Sequence, residues 1–125
     1  MPLSDGGRDH IARALIGESV TDFDASNARI GVGSGNDAFQ SWHESLQGQS
    51  TTRKAMDSGF PTRDGNQLTF RSTFGIDDAN FAWEEWGVFN AENLGTMLNR
   101  AIESLGTKPN NQSWQFTVTL TINNP

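Results

Sequence analysis

Near the end of the chain, Trp114, Phe116, Val118, Leu120 and Ile122 occupy every second position, with Gln115, Thr117, Thr119 and Thr121 between them. Apolar residues at period two predict a strand with one buried face and one polar, β-favouring face. The same alternation marks 67–74, where Leu68, Phe70, Ser72 and Phe74 oppose Thr69, Arg71 and Thr73. Just before it, Arg63-Asp64-Gly65-Asn66 carries an Asp-Gly pair, which favours a tight hairpin turn.

The stretch 81–100, FAWEEWGVFNAENLGTMLNR, reads as the centre of the fold. Trp83, Glu85, Gly87 and Phe89 are predicted to share one face of a strand, and Trp86 and Val88 the other. Asn90 to Gly95 breaks the pattern with residues that tolerate turn geometry. The alternation then resumes, with Leu98, Arg100 and Ile102 set against Met97, Asn99 and Ala101. Both faces are bulky and apolar, so this hairpin is expected inside the molecule as its structural centre. One of Glu84 and Glu85 must point the same way as apolar neighbours. Buried charges are usually paired, so that carboxylate is expected to bond to backbone or to an arginine such as Arg71 or Arg100.

Elsewhere the signals are shorter. Residues 1–7 read as a flexible polar arm and 8–125 as a single domain. Arg8 to Ile16 has the spacing of a helix, with Ile11, Leu15 and Ala12 or Ala14 as its stripe and Gly17 as its capping glycine. So short a helix does not stand alone in water, so it must dock on its own sheet or on a neighbouring subunit. Arg29 to Gly33 reads as a strand ending in a turn at Ser34–Asp37. Phe39, Trp42, His43 and Leu46 recur at helical spacing, with a loop as the competing reading. Lys54 to Asp57 reads as a short strand, and Ser104 to Asn111 as a loop stopped by Pro109. Strands separated by turn signals, without βαβ alternation, predict a mainly β protein: an antiparallel β-sandwich with a short N-terminal helix.

Composition narrows the functions. A chain of 125 residues suits one domain, and the absence of cysteine excludes disulfides and thiolate chemistry. A net charge of −6 argues against nucleic-acid binding, which needs a basic face. No apolar run approaches the ~20 residues of a membrane-spanning helix, and the opening MPLSDGGRDH lacks the pattern of a Sec signal. A soluble product made in a cytoplasm is expected.

The candidate chemistry is thin. Gly31-Val32-Gly33-Ser34-Gly35 has the glycines of a phosphate cradle, but neither the dinucleotide fingerprint nor the Lys-Ser/Thr of a P-loop; a strand end and turn is the better reading. His10 and His43 lack a second ligand at metal spacing, and His10 is expected on the exposed side of the helix. Asp77-Asp78 is expected to be solvated. Glu84 and Glu85 are adjacent on a strand and so point to opposite faces, which prevents the two from working as a glycosidase pair. No G-x-S-x-G elbow is present. Trp83 and Trp114 are expected in the core, whereas Trp42 and Trp86 are candidates for an interface or a sugar-stacking platform. No catalytic residue, metal or cofactor is assigned.

The pattern Glu85-x-Gly87-x-Phe89-Asn90-Ala91, followed by Gly95 and Met97-Leu98, resembles a motif of small tailed-bacteriophage structural proteins. It is similar to the collar-type domain of tail fibres and to short stand-alone virion proteins. Those proteins open with a brief helix, continue with a strand ending near Val-Gly and finish on an alternating strand, an order matched here by Ile11–Ile16, Ile30–Gly33 and Trp114–Ile122. The sequence ends at Pro125 with no fibre shaft. The resemblance therefore implies a separate, non-enzymatic accessory subunit that oligomerises and binds major capsid or tail proteins in the virion. A capsid decoration protein is the leading expectation, with a tail-fibre or neck protein as the alternative. From the residues alone, a carbohydrate-binding module and a small hydrolase using Glu84 or Glu85 are the competing classes.

Overall fold

The computed structural model describes residues 3–123. In chain order the elements are α1 (Asp5–Leu15), β1 (Arg29–Gly33), β2 (Thr51–Ala55), β3 (Thr62–Asp64), β4 (Gln67–Phe74), β5 (Ala82–Phe89), β6 (Met97–Thr107) and β7 (Trp114–Thr121). They form a four-stranded sheet in the order β2-β1-β5-β6 and a three-stranded sheet in the order β3-β4-β7. Every pairing is antiparallel, and the two sheets pack as the expected sandwich.

The core lies between the sheets. Ile30, Val32, Trp86 and Val88 from the larger sheet meet Phe70, Phe74, Val118 and Leu120 from the smaller one. Trp83 anchors one end, edge-on to Phe74 at 4.8 Å and to Trp114 at 5.0 Å, with its indole N–H donating to the Ala79 carbonyl at 2.9 Å. Edge-to-face aromatic pairs of this kind contribute about 0.5–1.5 kcal/mol beyond their buried area. A smaller cluster of Leu46, Phe89 and Met97 forms on the outer face of the larger sheet.

The hairpin departs from strict alternation in two places. Trp83 was expected on the face of Glu85 and Phe89, but it sits in the main core with Trp86 and Val88. A register shift accompanies it: β6 spends the residues from Ile102 to Gly106 against Glu85 back to Trp83 on β5. A second shift lies between Val88 and Phe89, where the side-chain oxygen of Asn99 accepts the Val88 N–H at 3.1 Å. Leu98 therefore enters the main core while Arg100 turns to the opposite face, so the two do not share the face expected of them. Bulges re-aim side chains in this way. β6 also runs to Thr107, into the segment expected as a loop.

Helix α1 begins earlier than expected. Its cap is Ser4, whose hydroxyl accepts the Gly7 N–H at 2.9 Å and donates to the Met97 carbonyl. The Ser4 N–H donates to the Leu98 carbonyl at 3.1 Å, and Leu3 bridges Asn99. Residues 3–7 are thus attached to β6, in contrast to the flexible arm expected over 1–7; Met1 and Pro2 lie outside the described residues. Gly7 serves close approach, because a Cβ there would collide with the Leu98 carbonyl. At the other end Gly17 adopts φ 82°. The N–H groups of Gly17 and Glu18 return to the Ala14 and Arg13 carbonyls at 3.2 and 3.0 Å, a Schellman closure.

Residues 37–46 form no helix. Leu46 and His43 are buried, but Trp42 points to solvent, so the apolar spacing is met by a folded loop. Ile122, expected as the last core position of the final strand, lies beyond β7 and is 68% exposed.

Candidate functional site

The most densely bonded polar centre is Glu85. Its position on β5 turns it to the outer face of the larger sheet, where the loop 34–50 covers it completely. One carboxylate oxygen, Oε1, accepts the Gln47 N–H at 2.9 Å and the Nε–H of Arg100 at 2.7 Å. The other, Oε2, accepts the N–H groups of Gly35 at 2.9 Å and Gly48 at 2.7 Å. Four bonds fill the acceptor directions of a carboxylate. Arg100 is equally buried and donates through Nη1 to the Asp37 carbonyl at 2.9 Å. Its Nη2 is buried without a partner.

The glycine run of β1 now has a physical reason. A side chain at Gly33 would strike Glu85, and one at Gly35 or Gly48 would strike the backbone of the other. The segment with the look of a phosphate cradle does cradle an anion, and that anion is the chain's own carboxylate. The same bonds fix the Gln47 and Gly48 N–H groups, just past the non-helical loop 37–46, on Glu85.

His43 lies under the same loop, almost fully buried, edge-on to Trp42 at 4.7 Å and Phe39 at 6.2 Å. Its Nδ1 accepts the Gln40 N–H at 3.3 Å. Burial first, and then the charge of Arg100, lower its pKa, against the opposing pull of Asp37 and Glu85. Glu84 is half-buried, accepting a bond from Ser104 Oγ at 3.5 Å. Neither glutamate lines the clefts beside α1, beside the 92–94 turn, at the β6–β7 seam or at His43. Among the described residues, no group of three or more His, Asp or Glu side chains is placed to hold a metal ion. His10 is edge-on to Phe23 at 4.8 Å, half-buried at the helix and far from His43 in the chain.

The remaining motif residues serve the frame. The Asn90 side chain accepts the Thr96 N–H at 2.7 Å and donates to the Thr21 carbonyl at 2.9 Å, closing the hairpin turn. Gly95 supplies a positive φ there, and Gly87 leaves room for the Asn99 carbonyl. Arg53 stacks on the Phe89 ring at 3.7 Å and donates to the Ala91 and Leu94 carbonyls. Trp86 is buried, with its indole N–H donating to Glu103 at 3.1 Å, so it offers no stacking face; Trp42 remains exposed. Asp78, expected to be solvated, pairs with Lys54 at 2.9 Å.

The surface is less finished than the interior. Gly7 is the buried residue of α1, while Leu15 is 83% and Ile16 75% exposed, with Ile11 beside them on the stripe. No family model and no curated protein matches the chain.

Proposed function

We propose that this chain is a non-enzymatic structural subunit of a tailed-phage virion, a capsid decoration protein that oligomerises and is fixed to the particle partly through α1. The observation that carries this reading is the helix. It is capped at both ends and attached at Gly7, yet Ile11, Leu15 and Ile16 face outward. An apolar stripe on a short helix needs a covering surface, and the chain's own sheets do not provide one. The resemblance of the 85–98 hairpin to phage structural proteins supplies the kind of partner: other copies and the major capsid protein.

The polar centre fits the same reading. Glu85 is committed to four bonds and closed to solvent, which suits a fastening between loop and sheet. A sugar-binding reading keeps only Trp42, 67% exposed, among the tryptophans.

The test is mass spectrometry of purified particles from a lysate of cells carrying the gene. The protein is expected in particles at high copy number, and particles carrying Leu15→Glu/Ile16→Glu are expected to lose most of it. Absence of the wild-type protein from particles contradicts the proposal.

A further inference from the structure

The four edge strands of the two sheets are not alike. β2 carries Arg53 and Lys54, β3 carries Arg63 and Asp64, and β6 carries Arg100 and Glu103; β7 carries no charged residue. From Pro109 to the last residue the sequence has no Asp, Glu, Lys or Arg. Charges, prolines and bulges are the devices that keep an edge from pairing with another chain. β7 has none of them, and it pairs with β4 in unbroken register from Trp114 to Thr121. Its other edge meets no strand among the described residues. Beside that edge, Trp83, Leu105, Trp114 and Phe116 line an open cleft of about 360 Å³.

We propose that β7 pairs antiparallel with β7 of a second copy, joining two three-stranded sheets into one continuous sheet across a twofold axis. A second copy is the occupant favoured by charge. Two molecules of net charge −6 repel one another, so self-contact is least opposed along the one uncharged edge. A strongly charged partner finds nothing complementary there. An antiparallel pair about a twofold is also self-complementary, and the apolar set is symmetric about Val118. With Val118 on the axis, Trp114 lies opposite the partner's Ile122 and Phe116 opposite the partner's Leu120. Thr117 lies opposite the partner's Thr119 on the other face. The half-buried Trp114 and the exposed Ile122 thus cover each other, and the threonines form cross-strand pairs. Edge pairing of this size lies at the small end of interfaces, so the dimer forms and dissociates with concentration.

This pairing specifies the self-association within the proposed function, and it is tested in solution, apart from any particle. Sedimentation of the full chain over a concentration series is expected to move from 13.7 kDa toward twice that mass. Thr117→Lys/Thr119→Lys sets like charges opposite one another and is expected to weaken the dimer roughly tenfold, with circular dichroism unchanged. Thr117→Lys/Thr119→Glu sets opposite charges across the same axis and is expected to restore the dimer. A chain that stays monomeric at every concentration, a dimer indifferent to the lysine variant, or a glutamate variant that fails to restore it overturns the pairing. A monomer that is nevertheless abundant in particles overturns the pairing alone. A dimer of this kind absent from particles overturns the virion reading alone.

Discussion

Arg100 donates its Nε–H to Glu85 across 2.7 Å, and neither side chain reaches solvent. The pair joins two adjacent strands, β5 and β6, and its remaining bonds run outward to four points of the loop 34–50: Gly35, Asp37, Gln47 and Gly48. A buried ion pair is not a large net gain in itself, but removing one partner strands the other charge in a dry site. Glu85→Gln is therefore expected to lower unfolding free energy by about 3–5 kcal/mol. Urea denaturation measures it. A variant as stable as wild type contradicts the structural role of the carboxylate.

The glycines around that carboxylate give a second prediction. Gly48→Ala places a methyl group against the Gly35 backbone, and overpacking of this kind costs about 1–3 kcal/mol. Gly33→Ala presses on Glu85 itself and is expected to fall in the same range. Thermal unfolding of both variants checks this, and unchanged midpoints contradict the packing described.

The alternating strands β4 and β7 and the Asp64-Gly65 hairpin were legible because their determinants are local: a period of two and a residue suited to positive φ. Gly65 does adopt φ 62°. Trp83 and Leu98 were assigned to the wrong faces because a bulge leaves no mark in the hydrophobic period. The apolar spacing over 37–46 fits a helix and a loop alike, because what fixes the segment is not local: Glu85, about forty to fifty residues away, holds the flanking Gly35, Gln47 and Gly48 N–H groups. Gly6-Gly7 looked like a flexible arm, since a glycine chosen for close approach is indistinguishable in sequence from one chosen for freedom. At the candidate site the pairing of a glutamate with Arg100 was among the expected alternatives. Backbone donors were the other alternative; that Gly35, Gln47 and Gly48 would supply them was not legible, although the recurring glycines from Gly31 to Gly35 were the trace.

Stability is expected to depend on pH through His43. Its pKa is lowered from 6.5, chiefly by burial and then by Arg100, so the unfolded chain binds more protons in mild acid. Stability then rises with pH in that range: the contribution is full above about 6.5 and declines as pH falls below it. Asp78 acts lower on the scale. The Lys54 hydrogen bond, and then the Gly75 N–H, hold its pKa below 3.8, so its contribution is present above that value and is lost as pH falls through the folded pKa. Urea midpoints measured from neutral pH downward are expected to begin falling near pH 6.5. His43→Gln is expected to flatten that first decline; an unaltered slope contradicts the assignment.

The exposed stripe of α1 separates assembly from folding. Leu15 makes little contact within its own chain, so Leu15→Glu is expected to change unfolding free energy by less than about 0.5 kcal/mol. Competition between labelled wild-type and variant protein for particles lacking the subunit reads the other half of the claim. The variant is expected to bind poorly, and equal binding removes the helix from the attachment surface.

The central claim, that this sandwich is a part of a phage shell, is tested most directly by electron cryomicroscopy of purified particles. The account predicts density matching this two-sheet sandwich repeated over the capsid lattice, with Ile11, Leu15 and Ile16 covered by a neighbouring subunit. A shell without such density, in particles from cells shown to make the protein, contradicts it.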